Sequence, residues 1–282
     1  MISQFIDMSR LSKFLISVNI WYNVTYCLLG EYYMNEITVR GKIFGPSSPA
    51  ICVPVTEKNI EEFEKKAIEY AKKGVEVIEL RADYLGIDVL KEHTVIADML
   101  IRIRSAAPET IFIFTIRTKP EGGTVEFEED EIRDLYEALL TTKTVDMYDL
   151  EYEQLSHINY FVNMVKEGGA ISIASHHNFD FTYEADVIEE ILTMMKEADA
   201  DVCKIALMPK SEEDVDRLIA SAGSFAKKNP DKAVIAISMG ELGMKSRTSC
   251  DKTGSMLTFA AMENASAPGQ IGYEKMKGLL LK

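Results

Sequence analysis

From residue 49 onward the chain alternates between short apolar runs and longer amphipathic stretches, and few folds accommodate that rhythm. The apolar runs fall at residues 51–55, 75–81, 111–117, 145–151, 170–175, 202–208, 233–239 and 256–261. They are rich in Val, Ile and Phe and lack strict polar alternation, which is how strands buried on both faces of a parallel sheet read. Most of the segments between them read as helices. One starts at an Asn59-x-x-Glu62 capping pattern, carries Ile60, Phe63, Ala67 and Tyr70 on one face and stops at Gly74. Another opens with Ser211-Glu212-Glu213-Asp214, placing its acids where the helix dipole favours them. Eight strand–helix units in about 230 residues match the size of a (β/α)8 barrel, although a doubly wound sheet has a similar rhythm. The expected organisation is an N-terminal extension over residues 1–48 and a single barrel domain over 49–282.

The extension contains a charge-free run over residues 14–30, preceded by Arg10 and Lys13. Ser17, Asn19, Asn23 and Thr25 interrupt it, it falls short of the ~20 apolar residues of a membrane span, and no small-x-small site closes it. We read it as lying upstream of a working translation start at Met34, ahead of a docked extension and well ahead of an anchor.

With 47% hydrophobic and 27% charged residues, the composition is that of an ordinary globular protein. A net charge of −14 with no basic stripe argues against a nucleic-acid partner. It also requires an anionic ligand to be captured by local arginines against the overall field. The four cysteines, Cys27, Cys52, Cys203 and Cys250, form no CxxC pair. They read as reduced thiols of a cytoplasmic protein without a zinc site.

The polar residues of the apolar runs cluster at their ends: Glu79 and Arg81, Arg117, Glu151, His177, and Met239 leading into a Gly-containing loop. In a barrel these C-terminal strand ends converge on one mouth. Within the run Val202-Cys203-Lys204-Ile205-Ala206-Leu207-Met208, Lys204 stands out, because burial disfavours an ammonium and frees the amine to attack a carbonyl. An edge lysine that snorkels to water is the bland alternative. Glu79 and Arg81 share one side of their strand by period-two alternation and suit a hydroxylated anion, or else form a structural ion pair. Arg117 precedes an acid in a flexible turn, Glu121-Gly122-Gly123. His176-His177 places an acid/base candidate at the mouth, with at most one of the two rings expected to face it. The pair lacks the accompanying ligands of a metal site.

Taken together, these residues resemble the type I 3-dehydroquinate dehydratases, the Schiff-base enzymes of the shikimate pathway. The resemblance rests on Glu79-Leu80-Arg81-Ala82-Asp83, Phe114-Thr115-Ile116-Arg117 with Glu121-Gly122-Gly123, Asp149-Leu150-Glu151, Ser175-His176-His177-Asn178-Phe179, Lys204-Ile205-Ala206-Leu207-Met208-Pro209, Ser238-Met239-Gly240 with Ser246-Arg247, and Ala265-Ser266-Ala267-Pro268-Gly269-Gln270-Ile271. These segments occur in the family's order over residues 51–271. The resemblance implies that Lys204 forms the imine, His177 is the general acid/base and Glu121 orients that imidazole. It further implies substrate contacts from Glu79, Arg81 and Arg117, a carboxylate contact from Arg247, and a closing loop that carries Ser266 and Gln270. The expected substrate is the small anion 3-dehydroquinate, with no cofactor or metal, no membrane or nucleic-acid partner, and a homodimeric assembly.

Two departures from the family pattern stand out: Val53-Pro54-Val55 where a ligand-touching serine is usual, and Ile237 where methionine is common. The competing readings are another Schiff-base barrel of the aldolase or transaldolase kind, and a silent barrel serving as a scaffold.

Overall fold

The computed structural model describes residues 35–263, 267 and 269–280. Residues 1–34, including the charge-free run and Met34, lie outside the described residues, as do Ser266 and Pro268. A two-stranded antiparallel hairpin, β1 (Ile37–Val39) and β2 (Lys42–Phe44), comes first. Eight parallel strands follow: β3 (Ala50–Val55), β4 (Val77–Arg81), β5 (Ile111–Thr115), β6 (Met147–Glu151), β7 (Ile171–Asn178), β8 (Val202–Leu207), β9 (Ala233–Ser238) and β10 (Leu257–Ala261). A short β11 (Ile271–Gly272) pairs with the end of β10. Each strand from β3 to β9 pairs with the next in sequence, and β10 pairs back to β3. The ring closes where the Met256 N–H donates to the Val234 carbonyl at 2.8 Å, beside a parallel bridge between Val234 and Ser255. This is the (β/α)8 barrel that the alternation of apolar runs predicts.

Surrounding it are α1 (Ile60–Lys72), α2 (Ile87–Leu90), α3 (His93–Ala106), α4 (Glu129–Thr142), α5 (Ile158–Glu167), α6 (Ala185–Glu197), α7 (Glu212–Lys228), the short α8 (Met244–Arg247) and α9 (Cys250–Thr253), and α10 (Tyr273–Leu280). Their starts follow the sequence signals. Asn59 Oδ1 accepts from the Glu62 N–H at 2.9 Å, but the Glu62 carboxylate takes the Asn59 side-chain amide rather than its backbone N–H. Ser211 caps α7 by accepting from the Asp214 N–H. Among the described residues no helix is long and apolar enough to cross a membrane.

Period-two alternation divides the buried residues into two cores. Ile78, Leu80, Phe112, Phe114, Cys203, Ile205 and Leu207 face the helices and pack with Phe63, Leu135 and Leu192. Val77, Ile111, Ile113, Met147, Ile173, Val202 and Ile235 point into the barrel, where Val39 and Phe44 of the hairpin join them. The hairpin therefore floors the barrel at the N-terminal ends of its strands. Within residues 35–48, which the sequence reading gave to an extension, Val39 and Phe44 pack with the barrel interior, and the described residues belong to one compact unit. Along the inward positions apolar residues give way to polar ones toward the C-terminal ends, so a dry base supports a charged mouth.

Candidate active site

Lys204 lies in the middle of β8, hydrogen-bonded between β7 and β9 with Ser175 and Ile235 as register partners. Val202 and Ala206, two residues to either side, belong to the barrel interior, so alternation turns Lys204 inward as well. The side chain is buried, with 3% of the residue exposed, which excludes the snorkelling alternative. Its ammonium donates to Asp149 Oδ2 at 2.7 Å, lies 3.7 Å from Glu79 Oε1 and sits 5.1 Å from the centroid of the Phe259 ring. The charge is thus compensated where an isolated buried ammonium would be costly.

Asp149, on β6, takes two further donors: Arg117 Nη2 at 2.8 Å and Ser175 Oγ at 2.6 Å. Burial alone would raise its pKa. Arg117 and Lys204 outweigh that and hold the carboxyl well below the usual carboxylate range. Arg117, just beyond β5, also donates through Nη1 to Glu151 Oε1 at 2.9 Å and Ser175 Oγ at 3.1 Å, and reaches Glu121 Oε2 at 3.4 Å. One guanidinium therefore serves three carboxylates, and both of its terminal nitrogens are engaged within the protein. Arg81 is likewise forked onto Asp83, through Nε and Nη2 at 2.8 Å each. Glu79 accepts from Thr115 Oγ1 at 3.0 Å.

Glu121 ends a single 3₁₀ turn, Lys119–Glu121, and is followed by Gly122 in the left-handed conformation at φ 81°. A Cβ on Gly122 would stand 2.3 Å from the Phe179 ring, so only glycine lets that ring close over the turn. Glu121 Oε2 is 2.8 Å from His177 Nδ1. Burial, opposed by Arg117 and reinforced by Glu151, Asp149 and Glu153, pushes the Glu121 pKa up to about 9. Burial, with Arg117, Lys204 and Arg81 adding repulsion, drives His177 well below the ordinary imidazole value. The two groups act as one buried proton-holding unit. Arg247, at the C-terminal end of α8, is buried, and desolvation lowers its pKa to about 10, which leaves it cationic at neutral pH.

Eight of the nine residues singled out from the sequence line one cavity at the barrel mouth. Lys204, His177 and Glu121 lie on it, as do Glu79, Arg81, Arg117, Arg247 and Gln270; Ser266 lies outside the described residues. Sequence reasoning gave no role to Asp149, Ser175, Thr115 or Phe259. The period-two run Met147, Asp149, Glu151 was the available signal for the first of these. Pro54, where the family serine is usual, sits within β3 opposite Glu79, and Ile237 lines the cavity. Among the described residues, no group of three His, Cys, Asp or Glu side chains is arranged to hold a metal ion. A buried amine facing a mouth of arginines, beside a histidine–carboxyl pair, can form an imine with a ketone-bearing anion and move protons next to it.

Residues 51–281 match the family model described as Type I 3-dehydroquinase. A 3-dehydroquinate dehydratase of Listeria welshimeri is 32% identical over 248 residues, covering 88% of this chain and 97% of the relative. One from Bacillus licheniformis is 32% identical over 246 residues, covering 86% and 96%. Among solved structures, the 3-dehydroquinate dehydratase of Geobacillus kaustophilus superposes with a TM-score of 0.83 at 29% identity, covering 89% of this chain and 96% of that one. The type I enzyme of Clostridium difficile, solved with covalently modified comenic acid, gives 0.82 at 30% identity, covering 88% and 97%.

Proposed function

Because the chain belongs to the type I 3-dehydroquinase family, we propose that its Lys204 forms the imine and that its His177, oriented by Glu121, moves the protons. The reaction is that of the family: a hydro-lyase step of the shikimate pathway that removes water from 3-dehydroquinate through a Schiff base. The observation that carries the residue assignment is the burial of Lys204 among Asp149, Glu79 and Phe259 at the mouth.

In this reading the Lys204 ammonium gives up a proton, the freed amine attacks the substrate ketone, and return of that proton as water leaves gives an iminium. The iminium acts as an electron sink, so the adjacent C–H becomes acidic enough for His177 to take its proton and leave an enamine. The enamine electrons then expel the β-hydroxyl as His177 returns the proton to it, and a second water arrives to release 3-dehydroshikimate and Lys204. One imidazole serves both transfers, which fits a syn elimination. Arg247 takes the carboxylate as a charge-assisted fork, and Glu79 and Arg81 take hydroxyls. Arg117 fixes the carboxylates around the amine, since its terminal nitrogens are already engaged. Gln270, on the cavity wall, covers the ligand and keeps water from the imine.

The barrel carries this activity, and we assign the protein to the cytoplasm as a homodimer. Three buried free thiols, Cys52, Cys203 and Cys250, support a reducing compartment. A concentration-independent monomer in light scattering would overturn the dimer.

The deciding experiment is incubation with 3-dehydroquinate, reduction with borohydride and peptide mass spectrometry. A reduced adduct on the peptide containing Lys204 is the expected result. An adduct on another lysine, or none from folded protein, rejects the assignment of the nucleophile.

A further inference from the structure

Glu121 is tied to His177 through only one carboxyl oxygen, Oε2. Its second oxygen, Oε1, is buried without a hydrogen-bond partner, and so is Nδ1 of the neighbouring His176. These two atoms face each other across 4.0 Å. Protein interiors leave few such atoms unpaired, and here two stand opposite each other behind the acid/base.

The hydrogen bonds around His176 favour one position for its ring proton. Asn178 Oδ1 accepts from the backbone N–H groups of Asp180 at 2.9 Å and Phe181 at 3.0 Å, which sets the orientation of that amide. Asn178 Nδ2 therefore donates to the Tyr183 hydroxyl at 2.9 Å. The proton of that hydroxyl is left for His176 Nε2, 3.2 Å away. Burial, only partly countered by Glu153, keeps His176 neutral. Its single ring proton is then on Nδ1, which faces Glu121 Oε1 at 4.0 Å and Glu153 Oε1 at 3.6 Å.

We propose that His176 is a positioning residue of the dehydration: its Nδ1–H closes on Glu121 Oε1, so that the carboxylate is clamped between two imidazoles and held ionised. The remaining gap is about 1 Å beyond hydrogen-bond reach, and catalytic contacts of this kind commonly tighten when ligand is seated.

The clamp matters because of what Glu121 does to His177. A protonated Glu121 donates to Nδ1 and confines the ring proton to Nε2, the atom that must accept from substrate. An ionised Glu121 accepts from Nδ1–H instead and leaves the Nε2 lone pair available. Burial favours the protonated form, as do the neighbouring Glu151, Asp149 and Glu153, while Arg117 opposes it. Lys204 and Arg81 act on the His177 side of the pair. Glu153 Oε1, 3.6 Å from His176 Nδ1 on a half-exposed side chain, is the competing acceptor. A donor on Oε1 shifts the balance toward the base-competent form.

This inference rests on the assignment of His177 and Glu121 given above. The test is the pH profile of kcat with 3-dehydroquinate for the wild type, His176→Phe and Tyr183→Phe, with borohydride trapping and thermal melts on the same samples. His176→Phe keeps the ring volume and removes the donor. Its kcat should fall roughly tenfold with KM little changed, and the rising limb should move to higher pH by about one unit. Tyr183→Phe releases the tautomer and should shift the limb in the same direction by less. It also decides the matter should His176→Phe fail to fold. Folded variants that still trap substrate on Lys204 but keep the wild-type limb overturn the clamp alone. Ring-nitrogen NMR showing the His176 proton on Nε2 overturns it as well. Failure of the wild type to trap on Lys204 would instead defeat the reading beneath it.

Discussion

Asp149 has almost no exposed surface, yet it receives donors from three directions: Lys204 on β8, Arg117 beyond β5 and Ser175 on β7. Replacing it with Asn leaves a buried ammonium and guanidinium without their shared carboxylate, which should cost about 3–5 kcal/mol in urea unfolding. The pH dependence carries a definite sign. The folded pKa of Asp149 lies below its unfolded value, so the unfolded chain binds the extra proton. Its contribution is complete above about pH 4, the unfolded value, and is lost as pH falls through the folded one. Asp149→Asn should therefore flatten the acid limb of stability below about pH 4. His177→Ala removes proton transfer but not the amine. We expect kcat to drop by about 10²–10⁴ while borohydride still traps an adduct; loss of trapping would mean the ring is needed for imine formation too. Lys204 and His177 stood out as candidates because charged or titratable residues in or at the end of apolar runs have few structural uses, whereas Arg247 and the pairing of Glu121 with His177 came from the family resemblance. The role of Asp149 was not, because an acid on a strand announces neither its partners nor its depth. His176 escaped for a different reason. Alternation turns it away from the cavity, and it meets Glu121 only because the Lys119–Glu121 turn stands above the end of β7.

Among the elements, the β1–β2 hairpin and the segment around Gly269 serve opposite ends of the barrel. Phe44 inserts from the hairpin into the interior core beside Val39. Phe44→Ala should cost about 3–5 kcal/mol of stability with kcat nearly unchanged, since the chemistry sits at the other end; a matching loss of kcat would place the hairpin in the catalytic machinery. The hairpin was not foreseen, because three-residue strands carrying Lys42 and Arg40 nearby are too short to show a periodicity. At the mouth, Gly269 has φ 75°, and a Cβ there would lie 1.9 Å from the Gly240 carbonyl oxygen. Gly269→Ala must displace a segment whose Ala267 and Gln270 line the cavity. It should raise KM by roughly tenfold with little change in melting temperature. The eight barrel strands were legible to within a few residues, because burial on both faces makes them continuous apolar runs.

At the scale of the whole molecule, the net charge of −14 acts against the compact state through self-repulsion. Raising the salt from low ionic strength to about 0.3 M shortens the Debye length to within the spacing of surface charges. We expect the melting temperature to rise by about 2–4 °C, which corresponds to about 1 kcal/mol for a chain of this size. A fall would mean that attractive surface pairs such as Lys66–Glu263 and Lys228–Glu189 outweigh the repulsion. Net charge also says why the mouth needs cations of its own: against an overall negative field an anion is captured by local groups such as Arg247 and Lys204. The central position of Lys204, paired on both sides by β7 and β9, has a further consequence for how such a chain can vary. A one-residue insertion or deletion in a loop at the opposite end from the mouth, away from Glu121, Arg247 and Gln270, leaves the cavity lining in place. The same change before Lys204 inside β8 would rotate the lysine out among the helices and bring Cys203 or Ile205 into the barrel. Loops at the floor can thus change length without moving the amine, while the spacing within this one strand cannot.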